Sequence, residues 1–275
     1  MSNTSLYLIH NNAIDRIGIR KKINDFAELL EFSILEIFKQ EPLSVFKSTM
    51  RYKLEIIRIN YIRIFHDIKT TGKVNLLQHS KSYLFFLLII SKFVVKIILQ
   101  PQKKDLVDYR HLKIEQILTN KHISAWEEFL KTKNNIMIVF EDDALVKKDS
   151  EKRLKELLKN LKTLNFKFLF VDLAGGYKYK EVLPKKYILD IDKTNIYVKG
   201  LFTNTTCSYL MNRSLVEKLY EQYCSNKLYN NFPIDHLMNK LNTQIKNPDQ
   251  TLSLHFKNPI FIHGSINREI NSTLR

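Results

Sequence analysis

A continuous apolar run, Ile136-Met137-Ile138-Val139-Phe140, stops at three consecutive carboxylates, Glu141, Asp142 and Asp143. No other stretch constrains the fold as strongly. A short apolar run without polar alternation suits a strand buried on both faces, the usual state of a strand in a parallel sheet. The acids that follow stand at its carboxyl end, and in open α/β sheets ligands bind in the crevice outside those ends. Side chains alternate along extended backbone, so Glu141 and Asp143 point to one side. A divalent cation relieves their repulsion, and Mg²⁺ or Mn²⁺ held by one or two carboxylates plus substrate phosphate oxygens is a common arrangement. The other reading is a solvated acidic turn whose charges complement the dipole of a following helix.

The rest of the chain repeats the alternation of strand and helix. Leu6 to His10 reads as a first strand. Ala13 to Lys39 reads as helix through Phe26, Leu29, Leu30, Ile34, Ile37 and Phe38, and Pro42 punctuates it. Lys53 to Phe65 fits a strand or an amphipathic helix, and Gly72 marks a break. Ser82 to Leu99 reads as a long helix ended by Pro101. Ile114 to Lys131 reads as helix with Ile117, Leu118, Trp126 and Leu130 inward. After the acidic triplet, Lys152 to Leu164 carries leucines at helical spacing. Phe166 to Leu173 is a second buried strand ending near Asp172, before a turn at Gly175-Gly176. Tyr187 to Lys199 is strand material, Thr206 to Met211 a strand, Ser214 to Tyr223 a helix and Pro259 to His263 a last strand. This order predicts an α/β fold with a mainly parallel sheet flanked by helices.

Lys and Arg number 44 against 28 Asp and Glu, a net charge of +16. That surplus points to an anionic partner: nucleic acid, anionic lipid or a phosphorylated substrate. The lysines are scattered and no nucleic-acid fold motif is present, so nucleic acid is not expected as a partner. Cys207 and Cys224 are too few and too far apart for a disulfide framework or a Cys-x-x-Cys zinc site, and read as reduced thiols. The first ten residues lack the basic n-region of a secretory signal. Tyr83 to Leu99 is the most apolar stretch, close to the roughly 17-residue minimum for a spanning helix. Lys92 and Lys96 interrupt it, at about 2.5–3.5 kcal/mol each on insertion scales, so spanning is disfavoured. A buried helix with snorkelling lysines is the reading we favour, ahead of a helix lying on a membrane surface.

Asn120 to Val146, NKHISAWEEFLKTKNNIMIVFEDDALV, resembles the core signature of glycosyltransferase family 25, with His122, Trp126 and Glu141-Asp142-Asp143-Ala144 in the matching places. Four further stretches agree in order. They are Leu6 to Ile23 with Asp15-Arg16, Thr206 to Glu221, the Pro-x-Asp segment in Phe232 to Leu241, and Asn258 to Thr273 with Gly264-Ser265 and a closing Ser-Thr. The family contains bacterial lipooligosaccharide glycosyltransferases and animal collagen galactosyltransferases. Residues from about 40 to 105 do not align with it.

The resemblance implies one GT-A-like, Rossmann-like domain over residues 1–275, with a divergent, mainly helical insertion at about 40–105. It implies an inverting, metal-dependent transfer of a sugar, galactose from UDP-galactose, to a lipooligosaccharide or other glycan acceptor. The partners it implies are a nucleotide-sugar donor, a glycolipid or oligosaccharide acceptor and an anionic membrane surface. The implied location is peripheral, on the cytoplasmic face of a bacterial inner membrane. Asp143 is the expected ligand of Mn²⁺ or Mg²⁺, with Glu141 and His263 as further candidates. Asp15, Arg16, Glu141, Asp142, His122 and Ser265 are the donor-binding candidates. Asp235, in the Pro-x-Asp motif, is the leading catalytic base and Asp172 the second. Each has an ordinary alternative. Asp235 suits a helix N-cap, Arg16 a surface charge, and His263 a hydrogen-bonded strand end. Two readings of another class are a non-catalytic membrane-associated relative and a Mg²⁺-dependent nucleic-acid-binding protein.

Overall fold

A computed structural model describes residues 3–38, 49–70, 80–161, 166–175, 187–191, 194–203, 205–245 and 250–266. The breaks read at Pro42, Gly72 and Gly176, the end of the helix at Leu164 and the closing Ser272-Thr273 lie outside the described residues. In chain order the elements are β1 (Thr4–Ile9), α1 (Ile17–Leu29), β2 (Ile34–Ile37), α2 (Thr49–Thr70), α3 (Ser80–Ile98), α4 (Gln102–Lys131), β3 (Ile136–Glu141), β4 (Ala144–Val146), α5 (Ser150–Asn160), β5 (Phe168–Asp172), β6 (Ile188–Ile191), β7 (Asn195–Lys199), β8 (Ser208–Asn212), α6 (Arg213–Cys224), α7 (Ile234–Asn242), β9 (Thr251–Phe256) and β10 (Phe261–His263).

The apolar run Ile136 to Phe140 lies in β3. It lies inside an eight-stranded sheet of order β2-β1-β3-β8-β5-β9-β7-β6, parallel to β1 and antiparallel to β8. Among the described residues, β2, β1, β3, β5, β9 and β6 run one way, and β8 and β7 the other. The fold is α/β with a largely parallel central sheet, as expected. Alternation along β3 feeds two cores. Met137 and Val139 face a cluster with Trp126, Phe129, Leu215, Leu219 and Leu237 from α4, α6 and α7. Ile138 and Phe140 face a cluster with Ile23, Phe26 and Ala27 of α1 and Leu154 and Leu157 of α5. Because β3 is covered on both faces, its sequence shows no polar alternation.

The structure corrects the long N-terminal helix. α1 stops at Leu29, and Ile34 and Ile37 lie in β2, paired in parallel with β1. The stop is a Schellman-type cap: the N–H of Phe32 reaches the carbonyl of Ala27 and that of Glu31 the carbonyl of Glu28. The left-handed position is taken by Glu31, φ 59°, where glycine is usual. No glycine therefore announced the end. Residues 49–70, ambiguous by pattern, are helix α2. β9, unread in the sequence, fills the gap between β5 and β7. The strand expected at Pro259 to His263 pairs with β4 in a separate two-stranded ribbon.

α2, α3 and the first part of α4 pack together around Tyr52, Ile56, Ile59, Ile97, Tyr109 and Leu112. α4 spans 30 residues and runs on into the sheet core, so one helix joins both parts. Lys53 closes the C-terminal end of α3. Its Nζ donates to the carbonyls of Ile97 (2.7 Å), Ile98 (3.0 Å) and Gln100 (2.7 Å) and pairs with Asp105 at 3.0 Å. A cation there satisfies orphan carbonyls and complements the helix dipole.

The favoured reading of α3 as a buried helix does not hold. Leu88, Val95 and Leu99 are 51%, 53% and 78% exposed, and Leu87 and Ile98 are exposed too. The reason is that, among the described residues, α3 packs through Phe93 and Ile97 on a cluster shared with α2 and α4 and takes no part in the two clusters that cover the sheet. Among the described residues no helix is long and apolar enough to cross a membrane.

Candidate active site

The candidate residues gather where the parallel strands end. Glu141 closes β3 and Asp172 closes β5, and the antiparallel strand β8 begins beside them, with Ser208 opposite Phe140. β10 adds a fourth contribution by pairing His263 with Ala144. Residues far apart in sequence thus meet at one end of the sheet.

Glu141 sits in a buried hydrogen-bond relay. Its Oε1 accepts from Thr206 Oγ1 at 2.6 Å and lies 3.1 Å from His122 Nε2. His122 Nδ1 lies 2.9 Å from the Tyr209 hydroxyl, which accepts the Trp126 indole N–H at 3.1 Å. With the indole donating to the phenol oxygen, the phenol hydrogen is left for Nδ1, and Nε2–H donates to Glu141; this tautomer is assigned from the network. Burial alone would raise the Glu141 carboxyl, but the hydrogen bonds from His122 and Thr206 leave it below its ordinary value. Burial pushes the Tyr209 phenol well up, so it stays a neutral donor.

Asp142 turns the other way, toward β1. Its Oδ2 accepts the Asn11 N–H at 3.3 Å, and Arg16 is close enough for its charge to act on it. Burial still raises the Asp142 carboxyl above its usual range, with Asn11 and Arg16 opposing. Arg16 is 2% exposed, so the surface-charge alternative for it does not hold. Asp15 is solvent-facing, with its carboxylate 3.7 Å from Arg16 Nε. Lys121, which sequence reasoning passed over, is buried here. It donates to the His10 carbonyl (2.6 Å) and to Asn11 Oδ1 (2.5 Å), and burial pushes it down to about 8, against the pull of Asp142.

Asp143 faces β10. Its Oδ2 accepts from Ser265 Oγ at 2.6 Å and lies 3.3 Å from His263 Nδ1, while the Gly264 N–H donates to its main-chain carbonyl at 2.9 Å. Its Oδ1 is buried with no hydrogen-bond partner. Ligand atoms of Asp143, His263 and Cys207 lie within 4.8 Å of one another, a set of O, N and S donors able to hold a cation. Glu141 is not in that group, since its carboxylate is taken by His122 and Thr206. Burial, then the charges of Asp143 and Glu141, raise the Cys207 thiol well above its ordinary value, so without a cation it is neutral.

Asp172 and Asp235 differ in their commitments. Asp172 accepts the Gly175 N–H at 2.8 Å and lies 3.4 Å from His255 Nδ1. Gly175 has φ +63° and a Cβ there would meet Pro259 at 2.5 Å, so Asp172 holds a turn that only glycine fits. Asp235 is not an N-cap: Pro233 holds that position and α7 has no side-chain cap there. Its Oδ1 accepts its neighbour's N–H, from His236, at 2.8 Å. Burial raises its carboxyl, with Glu115 and Glu141 adding to the rise and His236 opposing, which places it within charge range of Glu141. A cavity of about 790 Å³ at the opposite end of the sheet, lined by Asn135, Asn212 and Arg213, contains none of these residues.

Residues 119–238 match the model of glycosyltransferase family 25 (LPS biosynthesis protein). Over those residues the chain is similar to that family. No curated protein matches the chain. The matched family 25 segment contains His122, the acidic triplet, Asp172, Cys207 and Asp235; Arg16, His263 and Ser265 come to the site from outside it. Thr206, Cys207 and Tyr209 were within a stretch already quoted for the resemblance. Knowing that β8 pairs with β3 would have placed them beside Glu141, but pairing order is not written locally.

Proposed function

We propose that the protein moves a sugar, galactose from UDP-galactose, to a lipooligosaccharide or other surface-glycan acceptor, with inversion and with a divalent cation. The observation that carries this reading is a coincidence of place. The segment that matches glycosyltransferase family 25, whose description names LPS biosynthesis, includes the buried carboxylates at the carboxyl end of β3. That is where a doubly wound sheet binds its ligand.

Asp143 and His263 hold the cation, and the unpartnered Oδ1 of Asp143 supports the fit. When bound, the cation supplies charge neutralisation for the departing diphosphate oxygens. Glu141, fixed by His122 and Thr206, keeps lone pairs for a donor hydroxyl. The buried Arg16 guanidinium suits a diphosphate with its planar fork. Asp235 takes the proton of the acceptor hydroxyl as that oxygen attacks the anomeric carbon and the carbon–diphosphate bond breaks; its raised pKa makes it the stronger base. Asp172 is bound to Gly175 and His255, which suits holding a turn.

A lipid-linked acceptor calls for a peripheral position on the cytoplasmic face of the inner membrane. The exposed Leu88, Val95 and Leu99 of α3 beside Lys92 and Lys96, on a chain of net charge +16, support an anionic bilayer as partner.

The test is thermal stability of the purified protein with UDP-, GDP- and CMP-sugars, each with Mn²⁺ and with EDTA. A ligand of the native state raises the melting temperature by mass action. A Mn²⁺-dependent rise with a UDP-hexose is expected. No rise with any donor, beside one with nucleic acid, would sink the reading.

A further inference from the structure

The carboxylate of Asp143 is half used. Ser265 and His263 meet Oδ2, while Oδ1 is buried and takes no hydrogen bond. The Cys207 thiol faces the same carboxylate and is 1% exposed. Sγ of Cys207, a carboxylate oxygen of Asp143 and a ring nitrogen of His263 lie within 4.8 Å of one another.

Two main-chain bonds hold these groups in place. The carbonyl of Cys207 accepts the Glu141 N–H at 2.7 Å, which ties the start of β8 to the end of β3. The carbonyl of Asp143 accepts the Gly264 N–H at 2.9 Å, which ties β10 to the residues after β3. The three side chains thus come from three elements anchored to one another, and the thiol is a fixed part of the group.

The chemistry of this donor set differs from that of an acidic strand end. Magnesium and calcium take oxygen ligands, whereas thiolate with imidazole suits zinc and related borderline ions. Three protein ligands with a fourth position left for water or substrate is the pattern of a catalytic zinc site.

We infer that Cys207 is a ligand of the cation site, with Asp143 and His263, and that the site therefore takes a zinc- or cobalt-class cation ahead of magnesium. This deepens the cation site of the proposed transferase and rests on that reading. Glu141 is left out of the set because His122 and Thr206 hold its carboxylate.

The probe is Co²⁺ added to the full-length, metal-free protein and followed by absorption. The expected result is a thiolate-to-cobalt charge-transfer band in the near ultraviolet that saturates at one equivalent. Cys207→Ser should lose that band and bind Zn²⁺ more weakly by at least the roughly 10- to 100-fold seen when an outer-shell partner is lost. Cys224→Ser should keep it, since Cys224 is exposed and outside the group. His263→Gln, which leaves the thiol intact, should also weaken binding; it keeps the test open should Cys207→Ser fail to fold. Visible cobalt bands without the charge-transfer band would overturn Cys207 as a ligand while leaving the cation site of the transferase reading. A band that follows Cys224 would overturn it equally. No cobalt binding, with a UDP-sugar thermal shift that survives EDTA, would overturn the cation site but spare the transferase. The charge-transfer band without any nucleotide-sugar shift would support the ligation and count against the donor reading.

Discussion

His122 Nε2 lies 3.1 Å from Glu141 Oε1, and this contact ties the middle of α4 to the end of β3. Behind it stand Tyr209 and Trp126, which set which nitrogen of the imidazole carries the proton. Tyr209→Phe keeps the ring and removes the hydroxyl, leaving Trp126 Nε1 and His122 Nδ1 buried without that partner. We expect a loss of about 1–3 kcal/mol in urea denaturation. A loss below about 0.5 kcal/mol, the range of ordinary surface changes, would show that the relay is not structural.

Asp235→Asn keeps the shape of the side chain and removes the base. Turnover should fall by about 10²- to 10⁴-fold with donor affinity unchanged. Pre-steady-state turnover and donor titration separate the two. If donor affinity falls by the same factor, Asp235 is a binding residue.

Lys53 and Asp105 are a buried pair, with Asp105 0% exposed. Lys53→Met leaves an uncompensated buried carboxylate and three carbonyls at the end of α3 without their donor. We expect destabilisation of about 3–5 kcal/mol. The double variant Lys53→Met, Asp105→Leu should recover part of it, because replacing a whole buried pair is far less costly than halving it. Equal stability of single and double variants would refute the pairing.

Lys121 titrates near 8 in the folded protein against 10.5 when unfolded. Between those values the unfolded chain binds more protons, so stability rises with pH across that window. The slope from this one group is at most about 1.4 kcal/mol per pH unit. Lys121→Met should flatten the profile between pH 8 and 10.5 relative to the parent, measured by denaturation at fixed ionic strength. Parallel profiles would show that Lys121 titrates normally.

Leu88 and Val95 are exposed on α3, so Leu88→Ser with Val95→Ser should leave the melting temperature unchanged. Co-sedimentation with phosphatidylglycerol vesicles should drop sharply in this variant. Lys92→Glu with Lys96→Glu should weaken binding and make what remains less sensitive to salt. Equal sedimentation of parent and variants would remove α3 as the membrane-facing surface.

Much of the fold was legible where local pattern and tertiary state agree. β3, β5, α5 and α6 match their sequence periodicity because each is either buried on both faces or amphipathic. α1 was over-extended because its stop uses Glu31 in place of glycine. α3 was misjudged because apolar composition does not say whether a covering element exists, and among the described residues α3 joins the small cluster with α2 and α4 and not the clusters on the sheet. At the site, the acidic triplet was visible because it follows a strand. Cys207, Thr206 and Lys121 were not, because each acts through a partner distant in sequence.

By itself the sequence determined which residues are apolar, where β3, β5, α5 and α6 run, and that three acids end a buried strand. Those properties depend on neighbours within a few residues. The tertiary structure alone decided that Glu141 belongs to His122 and Thr206, Asp142 to Asn11 and Asp143 to His263, Ser265 and Cys207. Three adjacent carboxylates took three different surroundings because strand order and register, set by packing across the whole sheet, bring different segments against each one.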